Sequence, residues 1–185
     1  YKQVDVPAGM EAFTVKISGL KGGHSGIDIP LGRGNSNKIM FRFLRCGAKN
    51  HGVRLAEIQG GDLRNAIPRE AVATIVVPKN NVDGLKKCLA DYVKIVNSEL
   101  SSAENEIKIV MSSSSMPAKL IDEETQNKLI KAVYGCPNGV IRMSNDMEGL
   151  VETSTNLAIV KSNNGVVDVK CLLRNGPRIK IVKLQ

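Results

Sequence analysis

The chain has 185 residues, 42% of them hydrophobic, so it is long enough to bury the core of one domain or of two small lobes. Lys and Arg number 26 against 18 Asp and Glu, but this net charge of +8 is spread without blocks of like charge, which argues against nucleic acid or a membrane surface as a partner. No apolar run approaches the roughly 18 residues that cross a bilayer, so a membrane-spanning helix is excluded.

Hydrophobic periodicity predicts a ferredoxin-like sandwich in the first part of the chain. The predicted elements, in chain order, are a strand at 11–20, a helix capped by Asn35 or Ser36, strands at 53–58 and 71–77, a helix from Val82 and a strand at 106–111. A glycine-rich loop separates the first strand from the first helix. The order β-α-β-β-α-β is that of an antiparallel sheet with its helices on one face.

Four serines at 112–115 predict a hinge, followed by a second, incomplete lobe of related α/β design. Its predicted elements are a helix between Asp122 and Gly135, strands at 139–143, 156–161, 166–173 and 178–184, and a hairpin turn at Asn163-Asn164-Gly165. We therefore class the fold as α+β, with lobes at 1–115 and 116–185.

The cysteine pattern indicates a reducing compartment. Cys46, Cys88, Cys136 and Cys171 form no Cys-x-x-Cys pair, and each lies in an apolar or helical stretch where Cys behaves as a small hydrophobe. Free thiols in a chain without a signal peptide predict a cytoplasmic location. Because the sequence starts at Tyr1 rather than at Met, we expect it to be part of a longer protein.

Two loops carry residues suited to catalysis or binding. In Gly22-Gly23-His24-Ser25-Gly26, flanking glycines allow a tight turn and present the imidazole of His24, which can bind an anion, transfer a proton or bind a metal. The alternative is a solvated histidine in a glycine turn. In the loop at 60–70, the amide of Asn65 is suited to an oxyanion, or else it caps its own turn.

The sequence predicts no metal site within this chain. A catalytic site requires at least three His, Asp, Glu or Cys ligands brought together. The chain has two histidines, and His51 follows a predicted helix, where a positive charge at the C-terminus is favourable. Neither a His-x-Asp nor a His-Glu-x-x-His motif occurs.

Six motifs in one order resemble the aminoacyl-histidine dipeptidases, the Xaa-His dipeptidases (peptidase D) that cleave carnosine. The resemblance runs in register from about Val4 to Arg174, nearly the whole chain. The motifs are Val6-Pro-Ala-Gly-Met-Glu11, Gly19-Leu-Lys-Gly-Gly-His-Ser-Gly26, Gly34-Asn-x-Asn-Lys38, Leu63-Arg-Asn-Ala-Ile-Pro-Arg-Glu70, Cys136-Pro-Asn-Gly-Val-Ile-Arg142 and Val151-Glu-Thr-Ser-x-Asn156.

The resemblance implies a cytoplasmic metallopeptidase with a catalytic domain that holds two metal ions, usually zinc, and an inserted lid domain. The lid pairs subunits into a homodimer and closes over the dipeptide substrate. This chain matches the lid only, so we expect the isolated chain to be inactive. The family's lid residues imply that His24 stabilises the oxyanion with Asn65 beside it, and that Arg174 binds the substrate's terminal carboxylate.

The chain departs from the family pattern at two places. Pro30 stands where the family usually has His, and residues 175–185 diverge, so the second lobe is expected to lack its last helix and strand. Two alternatives remain open: a self-associating scaffold without catalysis, and a basic nucleic-acid-binding module on the ferredoxin-like sheet. Such sheets bind RNA through aromatic residues, and Phe13 is the single aromatic residue of the first predicted strand.

Overall fold

A computed structural model describes residues 1–176 of the chain. The helices are α1 (Ser36–His51), α2 (Val82–Glu99) and α3 (Glu123–Gly135). The strands are β1 (Gln3–Val4), β2 (Met10–Ser18), β3 (Gly23–His24), β4 (Arg54–Gly60), β5 (Ala66–Ile67), β6 (Ala71–Pro78), β7 (Lys108–Ser113), β8 (Leu120–Ile121), β9 (Gly139–Met143), β10 (Val151–Asn163) and β11 (Val166–Asn175). The strand predicted at 178–184 lies outside the described residues. Within 1–176, no helix combines the length and the apolar character needed to span a bilayer.

The predicted ferredoxin-like order is confirmed. The elements β2, α1, β4, β6, α2 and β7 follow one another along the chain, and their strands lie in the sheet order β7-β2-β6-β4 with every pair antiparallel. The predicted apolar face of α1 is buried in the core; its members Ile39, Met40, Phe43 and Leu44 are all at most 7% exposed. This stripe forms because helical periodicity places such positions on one side of the helix.

The second half of the chain extends this sheet rather than standing apart from it. Val160 and Lys161 of β10 pair with Gly60 and Gln59 at the end of β4, and β11 pairs with the other edge of β10. The buried side chains of α3 share one core with α1. Within the described residues, segments 1–115 and 116–176 thus meet in one sheet and one core, and the division of the chain into lobes at 1–115 and 116–185 stays a prediction.

Two local predictions have different outcomes. The hairpin turn between β10 and β11 is confirmed, with Asn164 and Gly165 at φ 46° and 79°, the positive values that a tight turn of this kind requires. The hinge at 112–115 is wrong in its first half, because Ser112 and Ser113 continue β7 and pair with Thr14 and Phe13. The strand β7 lies at the edge of the sheet and most of its residues are exposed, so they need not alternate between apolar and polar types. The apolar periodicity in the sequence therefore ends before the strand does.

Candidate functional site

Two of the predicted site residues are brought together by a short ladder of backbone hydrogen bonds. The strand β3 carries His24 and pairs with β5, so that His24 lies opposite Ala66. The amide of Ser25 donates to the carbonyl oxygen of Asn65 at 2.9 Å. The loop after β2 and the loop after β4 therefore lie side by side. The side chain of Asn65 is exposed to solvent beside them.

An internal ion pair shapes the turn around His24. The Oδ2 atom of Asp28 accepts a hydrogen bond of 2.7 Å from the amide of His24 and lies 3.4 Å from Nη1 of Arg33. The same guanidinium nitrogen donates to the carbonyl of Gly22 at 2.6 Å. Gly23 has φ 138°, and a Cβ there would collide with the side chains of Arg33 and Asp28. A glycine is therefore required immediately before the histidine.

The ends of this loop are held by one buried carboxylate. Glu104 follows α2 and is only 4% exposed. Its Oε2 accepts from the amide of Lys21 and its Oε1 from the amide of Gly34, both at 2.9 Å. Sequence reasoning missed Glu104, because a single acidic residue after a helix gives no signal that distinguishes it from a solvated one.

The two ring nitrogens of His24 have different surroundings: Nδ1 is hydrogen-bonded within the loop, and Nε2 faces an arginine. Its Nδ1 accepts from the amides of Gly26 and Ile27 at 3.3 and 3.2 Å, so the neutral ring carries its proton on Nε2. Nε2 lies 3.4 Å from Nη2 of Arg174, a group that only donates. Two donors therefore face each other, an arrangement that an anion in contact with both would stabilise.

Arg174, the arginine beside His24, belongs to β11 and lies opposite Ser154 of β10 in the sheet. Its Nη2 is 3.5 Å from Oγ of Ser25, whereas its Nε is buried and has no hydrogen-bond partner among residues 1–176. The structure thus brings His24 and Arg174, which are 150 residues apart in sequence, into direct contact.

A buried amide that sequence reasoning did not select also supports the site. Asn156 of β10 is completely buried, and its Nδ2 donates to the carbonyl of Ala66 in β5 at 2.8 Å. This hydrogen bond connects β5, which directly follows Asn65, to β10, the strand that pairs with β11 and its Arg174. Pro30, where the family pattern usually has His, lies exposed in a short 3-10 turn (Ile29–Leu31).

The side chains of the described part of the chain do not fit a metal ion. Among residues 1–176, no three His, Cys, Asp or Glu side chains lie close enough together to hold one. His51 is the last residue of α1, as predicted, and Gly52 forms the C-cap in a left-handed conformation.

Comparison with known proteins finds that this chain is similar to parts of peptidases. Residues 15–104 match the peptidase dimerisation domain family. The chain is 41% identical over 170 residues to the cytosol non-specific dipeptidase of Escherichia coli (strain K12), covering 92% of this chain and 35% of the relative. The crystal structure of aminoacylhistidine dipeptidase from Vibrio alginolyticus matches with a TM-score of 0.91 and 41% identity, over 94% of this chain and 36% of that protein. The chain thus spans about a third of the length of each relative.

Proposed function

We propose that this chain forms the lid of an aminoacyl-histidine dipeptidase, because it is similar to the peptidase dimerisation domain family and to two dipeptidases. The observation that carries this proposal is the convergence of Nε2 of His24 and Nη2 of Arg174, which lie 3.4 Å apart. The substrates would be Xaa-His dipeptides such as carnosine. The name of the Escherichia coli relative supports a cytoplasmic location.

The spacing of the two donors suits a dipeptide. In such a substrate the reacting carbonyl and the terminal carboxylate belong to successive residues, whose equivalent atoms lie about 3–4 Å apart. His24 would donate from Nε2 to the oxyanion of the tetrahedral intermediate, with the amide of Asn65 as a second donor. Arg174 would bind the terminal carboxylate, a task for which a guanidinium offers two parallel hydrogen bonds.

The proposal places the metal ions outside this chain. The side chains of residues 1–176 offer no ligand set for the two zinc ions that the family resemblance implies, so these ions would lie on a catalytic domain elsewhere. When bound there, zinc would supply a nucleophilic water and polarise the carbonyl. The lid's own contribution is to bind and orient the substrate's negative charges.

We expect inorganic phosphate, a mimic of the oxyanion, to bind at His24 with a Kd of about 1–10 mM. The chain has two histidines, so each imidazole ring gives one resolvable set of NMR signals, and His51 serves as an internal reference. Phosphate should shift the ring signals of His24 and leave those of His51 in place. Carnosine added with zinc should stay intact in the same sample, because the chain lacks the metal ligands.

The matched variants for this titration are Arg174→Gln and Arg142→Gln. Arg142 forms an exposed ion pair with Glu152 on the same sheet, so Arg142→Gln removes an equal charge from a pair that includes neither His24 nor Ser25. Arg174→Gln should weaken phosphate binding at least about fivefold, since a charge-assisted donor is lost. Equal shifts of both histidines, an unchanged affinity in Arg174→Gln, or turnover of carnosine would each contradict the proposed function.

We also propose that the chain forms a homodimer through the outer edge of β11. This ten-residue strand ends the sheet, and nothing within residues 1–176 pairs with its outer edge. It also leaves apolar side chains exposed, namely Val166, Val169 and Leu173. A long edge strand with exposed apolar residues is a template for pairing with another chain.

Sedimentation velocity tests this surface with Val169→Lys. A lysine on an edge strand disfavours strand pairing, so the variant should dissociate at least about tenfold more readily than the wild type. The control is Val110→Lys, at the opposite edge of the same sheet on β7, where the valine is 55% exposed. A wild-type chain that sediments as a monomer at every concentration, or equal weakening by both lysines, would exclude this dimer surface.

A further inference from the structure

The four cysteines lie in two pairs. Sγ of Cys46 in α1 is 3.1 Å from Sγ of Cys88 in α2, and Sγ of Cys136 after α3 is 3.4 Å from Sγ of Cys171 in β11. All four side chains are partly exposed, so small reagents can reach them. Sequence spacing gave no sign of this arrangement, because the partners are 42 and 35 residues apart.

We propose that Cys46–Cys88 and Cys136–Cys171 are two redox modification sites, each oxidised to an intramolecular disulfide by a low-molecular-weight disulfide such as oxidised glutathione. An S–S bond is about 2.05 Å long, so each sulfur pair has to close by little more than an ångström. A rotation of a side chain about χ1 moves its sulfur atom by a distance of this order. Dithiols of this kind in cytosolic proteins serve redox sensing more often than structure.

The chemistry balances with a single oxidant molecule for each pair. The thiolate of one cysteine attacks a glutathione disulfide, which forms a mixed disulfide and releases one reduced glutathione. The thiolate of the second cysteine then attacks the protein sulfur of that mixed disulfide and releases the second glutathione. Two electrons pass from the cysteines to the oxidant, and the two thiol protons end on the released glutathione thiols.

The environment of Cys171 indicates the order of these steps. Burial, and then its hydrogen bond with Cys136, raise the pKa of the Cys171 thiol to about 11, so this thiol is a poor first nucleophile at neutral pH. Cys136 would therefore attack the oxidant, and Cys171 would resolve the mixed disulfide. The ammonium of Lys38, which donates to the carbonyl of Cys136 at 2.7 Å, opposes this rise by favouring the Cys171 thiolate.

Both disulfides would join elements that lie apart in the chain. The first would link α1 to α2, and the second would link the end of α3 to β11, the strand that carries Arg174. Each closes a loop of several tens of residues, which restricts the unfolded chain and so raises the Tm.

Peptide mapping without reduction, after equilibration of the 185-residue chain with oxidised glutathione, tests the proposal directly. We expect two disulfide-linked peptide pairs, 46 with 88 and 136 with 171, and no reactive thiol left. The Tm should rise by roughly 5–10 °C and return to its starting value with dithiothreitol.

The variants Cys171→Ser and Cys88→Ser serve as each other's controls. In Cys171→Ser the 46–88 disulfide should form alone while Cys136 is left as a mixed disulfide with glutathione, and Cys88→Ser should give the converse. Cross-paired peptides, disulfides between separate chains, or four thiols still reactive after oxidation would overturn the proposal. Because the wild-type map needs no substitution, a variant that fails to fold does not affect this result.

Discussion

Replacement of Glu104 by Ala is expected to lower the free energy of unfolding by about 2–5 kcal/mol and to release the loop that carries His24. The carboxylate is 4% exposed and accepts from the amides of Lys21 and Gly34, one at each end of that loop. Without it, the buried amide of Gly34 and the partly buried amide of Lys21 lose their partner, and a donor left unpaired away from water costs about 1–3 kcal/mol. The loss of stability and the loss of the loop's geometry should therefore appear together.

Urea unfolding and the ring signals of His24 measure these two effects in one sample. Glu106→Ala is the matched control, because Glu106 is exposed and lies only two residues further along the chain. It should change stability by less than about 0.5 kcal/mol and leave the His24 signals unchanged. If Glu104→Ala were as stable as Glu106→Ala, or if His24 kept its wild-type signals, Glu104 would not hold the loop.

Replacement of Asn35 by Ala is expected to cost about 2–4 kcal/mol, because one side chain performs two tasks. Its Oδ1 accepts from the amides of Asn37 and Lys38 at 3.0 and 3.2 Å and so caps α1. Its Nδ2 donates to Oδ1 of Asn138 at 2.8 Å and to the carbonyl of Leu157 at 3.0 Å, which ties the start of α1 to β10. Asn35 is 4% exposed, so water cannot replace these partners.

Two variants separate the tasks of Asn35. Asn97→Ala, in the exposed part of α2, is the control for the substitution itself and should be close to neutral. Asn35→Asp keeps the capping oxygen but places a second oxygen against Asn138 and the carbonyl of Leu157, so it should remain clearly destabilised in urea unfolding. Wild-type stability of Asn35→Asp would show that only the cap matters, and wild-type stability of Asn35→Ala would exclude both tasks.

The order of elements and several local features of this protein could be predicted from the sequence because they depend on neighbouring residues. Apolar periodicity is sufficient for the β-α-β-β-α-β order, since it records which side of each helix or strand is buried. The cap at Asn35 and the turn at Asn164 and Gly165 are likewise local, as each requires a particular side chain or a positive φ at one position. The glycine-flanked His24 belongs to the same class.

The candidate site itself depended on the tertiary structure. The contact between His24 and Arg174 requires that β10 pair with β4 and that β11 fold back along β10 so that Arg174 lies opposite Ser154, and no local pattern specifies this pairing. Glu104 and Asn156 act on loops far from them in sequence, and their residue types are equally compatible with a solvated surface. The two cysteine pairs arise in the same way, from the packing of α1 against α2 and of α3 near β11.

The sequence by itself therefore determined the elements, their order and the loop that presents an imidazole, because those features follow from the spacing of neighbouring residues. Only the tertiary structure decided which distant side chains meet that imidazole. These contacts depend on strand order and register, and the same hydrophobic periodicity is compatible with more than one order and register.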